Sequence, residues 1–188
     1  MTYAIANYDG PSAQPTVYSG VCFRSKLEAK TAQSLDNFSI SWVYEPHQFK
    51  LDNGLWYRPD FWLPYMQTYI ECKGTKTPEA MAKAHGLVSC MGDPVLVLGY
   101  DWVKLFTKNA NQFVTEKKDV HCFNGPVFLV KCNYCRKYWF VSNETTYICP
   151  SCETHNTAFS EAYKIDGAND LFNHGQERVS KEYAIYCD

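Results

Sequence analysis

No stretch of this chain holds the roughly 18 to 20 uninterrupted apolar residues that a membrane span needs, and no basic cluster followed by an apolar run marks a targeting segment. The expectation is a soluble cytoplasmic protein with no membrane partner. An excess of positive charge is missing too: the formal net charge is -2, against the clustered Lys and Arg that phosphate neutralisation favours. The balance is uneven, however, with 8 basic and 9 acidic residues in 1–100, 7 and 3 in 101–140, and 3 and 8 in 141–188. The middle is locally basic. Repeats and low-complexity runs are also absent. With 46% apolar and 16% aromatic content over 188 residues, the chain can bury a core, which sets aside disorder and leaves room for one ordinary domain plus a small appendage.

Cysteine is not scarce. The nine cysteines are an odd number, and four of them form two C-x-x-C pairs, Cys132/Cys135 and Cys149/Cys152. Without a secretion signal this pattern favours metal binding or redox chemistry over a disulfide framework. The remaining five, Cys22, Cys72, Cys90, Cys122 and Cys187, are expected to be reduced thiols.

Residues 1–19 are turn-rich and read as a lead-in. Phe23, Leu27, Leu35 and Phe38 fall near one helical face, so a helix is predicted over about 24–38, with Ser25-x-x-Glu28 as a capping box. Strand-like segments follow at 41–45, 48–51, 56–62 and 68–72, broken by Pro46, Asp52-Asn53-Gly54 and Pro64. The Asn-Gly pair signals a hairpin. Pro78 opens a second helix expected to end near Gly92, and the apolar run at 94–99 reads as a strand buried on both faces. Helix, mixed β-sheet, crossover helix and strand describe an α/β domain over 20–106. A connector spans 107–127, a ribbon 128–156, and a weakly helical acidic tail 157–188.

On a strand at 68–73, Glu71 and Lys73 share one face while Ile70 and Cys72 point the other way. Asp60 precedes them by one short segment. Carboxylates of this kind suit Mg²⁺ or Mn²⁺, and an adjacent ammonium can orient a water or stabilise charge on a phosphate. The Cys72 backbone carbonyl is a further candidate ligand, with its thiol facing the core. Glu28, at the edge of the buried helix face, is the third acid. Taken singly, each residue has a plainer reading: Glu28 as a capping-box residue, Asp60 as a turn residue, Glu71 and Lys73 as a cross-strand charge pair. Arg58 is a candidate phosphate contact.

Phe23-Arg24-Ser25-Lys26-Leu27-Glu28-Ala29, Trp42-x-Tyr44-Glu45-Pro46, Tyr57-Arg58-Pro59-Asp60-Phe61-Trp62-Leu63-Pro64 and Ile70-Glu71-Cys72-Lys73-Gly74 together resemble the PD-(D/E)XK nuclease superfamily. The similarity is to its small phage and bacterial resolvase-like or restriction-like members, and it covers about residues 20–105. It implies a restriction-endonuclease-like core in which Asp60 and Glu71 bind Mg²⁺ or Mn²⁺, Glu28 assists and Lys73 is catalytic. The implied activity is a Mg²⁺-dependent DNA endonuclease, possible substrates including junctions and branched DNA, with a homodimer as one arrangement for cutting two strands. Two other readings stand beside it: an inactive nuclease-fold module that binds DNA or a host protein, and an RNA-directed nuclease.

Cys132, Cys135, Cys149 and Cys152 match a closed tetrahedral Zn²⁺ site at the end of a zinc ribbon, structural because all four ligands are sulfur. His155 is a substitute ligand for one of them. Lys131, Arg136 and Lys137 with Tyr134, Tyr138 and Trp139 could meet nucleic acid by phosphate contact and stacking, or the aromatics fill a small core that depends on the metal. A protein-docking role is the third option.

Overall fold

Val95–Leu98, apolar on both faces in sequence, is fully buried near the centre of the molecule. The computed structural model describes residues 13–108, 119–123, 126–142, 148–155, 159–165 and 167. In chain order the strands are β1 (Thr16–Tyr18), β2 (Val21–Phe23), β3 (Val43–Tyr44), β4 (Phe49–Lys50), β5 (Trp56–Tyr57), β6 (Phe61–Leu63), β7 (Thr68–Cys72), β8 (Val95–Leu98), β9 (Val103–Thr107), β10 (His121–Phe123), β11 (Val127–Lys131), β12 (Tyr138–Ser142) and β13 (Glu161–Ile165). The helices are α1 (Lys26–Asn37) and α2 (Pro78–Met91). The fold is mixed α/β, mostly strands with two helices among the described residues. None of its described helices is long and apolar enough to cross a membrane.

Six strands form a mixed sheet in the order β10-β9-β8-β7-β6-β3. Only the β7–β8 pair is parallel, and α2 supplies its crossover, as a parallel pair requires. Thr77 caps α2 by accepting from the Ala80 N–H, Pro78 takes a first-turn position that needs no donor, and Gly92 ends the helix at φ 84°. Strand alternation then sorts the core. Phe61, Leu63, Ile70, Cys72, Leu96 and Leu98 face α1, while Tyr69, Val95, Val97 and Phe106 face Leu87 and Val88 of α2.

The C-terminal strands make a second sheet, β12-β11-β13. Val127, Leu129, Val130, Trp139, Val141 and Ile165 join the α1-side core without a break. The ribbon is thus packed onto the main sheet and shares its interior.

Several boundaries differ from the sequence-based expectation. Part of the lead-in is a hairpin, β1 paired with β2. The strand expected over 56–62 is two strands, because Arg58-Pro59-Asp60 interrupts it and proline cannot donate to a ladder. Residues assigned to the connector include β10, which pairs with β9. The tail is β13 where it is described, not helix: Tyr163 and Ile165 pair with Leu129 and Val127, and tertiary pairing decides a five-residue segment whose period is ambiguous. Lys117-Lys118, Cys187 and most of the tail lie outside the described residues.

Candidate active site and cysteine centre

The break between β5 and β6 sets Asp60 free from strand alternation at the edge where β7 ends. Asp60 is 1% exposed. Its Oδ2 accepts the Cys72 N–H at 2.7 Å and its Oδ1 pairs with Arg24 Nη2 at 2.6 Å. Because the N–H and C=O of a strand residue leave by the same edge, the Cys72 carbonyl lies on the Asp60 side. The Cys72 thiol points into the core as expected, 3.4 Å from the Thr31 hydroxyl. Burial, and next the Asp60 charge, push that thiol well up, which keeps it protonated.

Glu71 leaves β7 on the α2 side and is buried. Lys73 Nζ pairs with its Oε1 at 2.6 Å, and the Tyr57 hydroxyl donates to its Oε2 at 2.6 Å. Burial opposes the Lys73 charge, but Glu71 and Asp60 outweigh it and hold the ammonium above its ordinary range. Lys73 is therefore a fixed positive charge at neutral pH. Tyr57 is held neutral by burial, reinforced by Glu71, so its phenol stays a donor.

Glu28 approaches from α1. The capping reading holds: Ser25 is the N-cap, accepting the Glu28 N–H at 3.2 Å. The Glu28 carboxylate also accepts from the Ser25 hydroxyl at 2.8 Å, the Arg24 N–H at 3.1 Å and the Tyr44 hydroxyl at 2.6 Å. Capping fixes the side chain while leaving it buried beside Asp60. Asp60 feels both neighbours: burial, then the Glu71 and Glu28 charges, push its carboxyl well above the usual range against Lys73 and the Cys72 N–H.

The sequence motifs single out Glu28, Asp60, Glu71 and Lys73 but not the residues bonded to them. Arg24, Tyr44, Glu45 and Tyr57 stand inside the motifs already quoted, without an assigned role. Arg24 bridges Asp60 and Glu45; Arg58 meets Glu45 at 3.1 Å and is 47% exposed. The donor set is hard oxygen, which fits Mg²⁺ or Mn²⁺. Three buried acids beside two cations, Arg24 and Lys73, leave a negative balance that a divalent ion would relieve. The three carboxylates do not converge on one point. The close groups of potential ligands among the described residues comprise one set, the four cysteines.

At the cysteine centre all four sulfurs lie within 4.8 Å of one another. Cys132 and Cys152 are 3.8 Å apart, Cys135 and Cys149 3.6 Å. Thiolates about 2.3 Å from a tetrahedral zinc lie about 3.8 Å from each other, whereas a disulfide needs about 2.05 Å. The two knuckles repeat one pattern. Arg136 N–H donates to the Cys132 carbonyl and Glu153 N–H to that of Cys149, and both residues are left-handed, at φ 64° and 56°. This cluster could hold a metal such as zinc. Burial pushes the Cys149 thiol up to about 12, while hydrogen bonds at Thr154 pull Cys152 down to about 6. His155 is exposed and bridges Ile148 through the backbone, so it replaces no cysteine.

The ribbon's candidate contacts separate on burial. Trp139 is 4% exposed and packs edge-on against Phe159, which rules it out as a stacking platform. Lys131 and Tyr138 are both bonded to Glu161. Arg136 and Lys137 are exposed, as is Tyr134 at 67%.

Comparison of the chain with protein families, with curated proteins and with solved structures finds no match.

Proposed function

We propose that this protein is a Mg²⁺-dependent DNA endonuclease with a PD-(D/E)XK type of active site, steadied by a structural Zn²⁺ on its four cysteines. One observation carries the reading: Glu28, Asp60 and Glu71, all buried and from three separate segments, lie within electrostatic reach of one another beside the C-terminal end of β7, with Lys73 paired to Glu71. Burying three acids together is costly for stability, and arrangements of that kind concentrate at functional sites.

Asp60 and Glu71 would hold the cation, with the Cys72 carbonyl and Glu28 at its margin. When bound, the cation supplies polarisation of the phosphodiester and a more acidic water. Lys73 keeps its proton, so it serves as an electrostatic group rather than a base, orienting the water and countering charge that builds on the phosphate. Tyr57 fixes the Glu71 carboxylate by donating to the oxygen that Lys73 leaves. In the hydrolysis a water oxygen bonds to phosphorus, the bond to the leaving sugar oxygen breaks, and that oxygen takes up a proton. Arg24 and Arg58, both partly exposed at the site's mouth and paired there with Asp60 and Glu45, are the guanidinium groups placed to meet phosphate.

Incubation with Mg²⁺ or Mn²⁺ and a panel of linear, branched and single-stranded DNA and RNA tests the proposal, with Ca²⁺ as the binding control. Cleavage of DNA is expected, with a loss of about two orders of magnitude or more in Asp60→Ala and Lys73→Ala at unchanged zinc content. Cleavage at the wild-type rate by both variants would reject the site.

A further inference from the structure

Arg24 makes an ion pair that a metal ligand cannot keep. Its backbone N–H is pinned at the entry to α1 by Glu28 at 3.1 Å and by the Tyr44 hydroxyl at 3.2 Å, so the long side chain swings from a fixed point. Its head spans two carboxylates, with Nη2 on Asp60 Oδ1 at 2.6 Å and Nε on Glu45 Oε1 at 3.0 Å. These two acids differ in kind. Asp60 is buried within the proposed metal set. Glu45 sits at its rim in a left-handed conformation, φ 45°, tied by its N–H to the Asp60 carbonyl at 2.8 Å, and its second oxygen holds Arg58 at 3.1 Å. The Arg24 side chain is 60% exposed, so it can turn about Glu45 without disturbing the core.

Asp60 is a buried acid among acids, and Arg24 is the cation bonded to it directly, with Lys73 acting on it from its pair with Glu71. With a metal, the same guanidinium becomes a competitor. Its planar fork matches phosphate oxygens as well as carboxylates. We propose that Arg24 is a displaceable internal cation: it occupies Asp60 Oδ1 while no metal is bound, yields that oxygen to a divalent ion, and then turns its freed Nη edge, still tethered by Glu45 beside Arg58, toward the scissile phosphodiester. The inference rests on the nuclease reading above and adds a residue that couples metal arrival to substrate contact.

Calorimetric titration of Ca²⁺ into the full-length, zinc-loaded protein tests it. Arg24→Gln should bind Ca²⁺ about fivefold more tightly than the wild type, the scale of a partly exposed ion pair, while cleaving DNA more slowly in Mg²⁺. Arg58→Gln removes the same charge without touching Asp60, and should tighten binding by less than about twofold. Equal tightening in both variants, or none in Arg24→Gln, would overturn the inference. If Arg24→Gln does not fold, the wild type gives the answer by nitrogen-15 NMR. The Arg24 Nε–H signal should move with Ca²⁺ along the calorimetric isotherm, and a signal indifferent to Ca²⁺ overturns the proposal. A wild type whose Ca²⁺ titration is indistinguishable from that of Asp60→Asn removes the metal site itself, and this inference falls with the nuclease reading.

Discussion

Tyr57 donates to Glu71 at 2.6 Å from a position 5% exposed, so the pair depends on a hydrogen bond that water cannot replace. Tyr57→Phe should cost about 1–3 kcal/mol in urea unfolding of the zinc-loaded protein without added Mg²⁺, the penalty for a buried acceptor left short of a donor. The loss should be smaller in Mg²⁺, where a cation would take the vacated lone pair. Equal losses in the two conditions would count against Glu71 as a ligand. Tyr57 was legible as part of a motif but not as a partner of Glu71. A continuous strand over 56–62 would put Tyr57 and Asp60 on opposite faces by alternation, and the interruption at Pro59 lets Tyr57 reach Glu71 while Asp60 meets the Cys72 N–H. Arg24 was hidden for a different reason: a charged residue just before a helix reads as solvated surface, and only the fold brings β6 within its reach.

The elements that were legible are those with punctuation at both ends. α2 has Thr77-Pro78 before it and Gly92 after it, and the structure gives it the bounds Pro78–Met91. The Asn53-Gly54 hairpin forms as expected, with Gly54 at φ 81° and the Leu51 N–H bonded to the Leu55 carbonyl at 2.8 Å. β13 carries no such marks, and its identity comes from β11 alongside it. Its Glu161 joins Lys131 at 2.9 Å, Tyr138 at 2.6 Å and Tyr163 at 3.0 Å. Those hydrogen bonds, that from Lys131 foremost, pull the Glu161 carboxyl down to about 2 from 4.5. A depressed carboxyl contributes stability that is complete above its unfolded value and is lost as pH falls from about 4.5 toward 2. Glu161→Gln should therefore flatten the acid limb of the stability curve in that window, by about 1 kcal/mol after allowance for partial exposure. Urea midpoints taken at successive pH values check it. In the knuckles, Cys149→Ser should release zinc and destabilise the C-terminal sheet, read by metal analysis and circular dichroism; a variant that folds and keeps its zinc would contradict the four-sulfur site.

The two sheets share one interior, because the α1-side core runs from Leu27 and Leu35 through Phe61 and Leu98 to Leu129, Trp139 and Cys149. A division at 107–127 was the natural reading of a polar stretch between two patterns, and composition along a chain does not reveal that two patterns bury one another. Chelation of the zinc should accordingly lower the melting temperature of the entire protein in a single transition, seen together in far- and near-ultraviolet circular dichroism. Two separate transitions would support a division into two units. The same continuity fixes the frame on which Asp60, Glu71 and Glu28 are held. Crystals grown with Mn²⁺ put the proposed metal site to its most direct test by anomalous scattering. The account requires a manganese peak coordinated by Asp60 and Glu71 that disappears in Asp60→Asn while the zinc peak at the cysteines stays. Zinc alone, with no manganese at those carboxylates in the wild type, would contradict it.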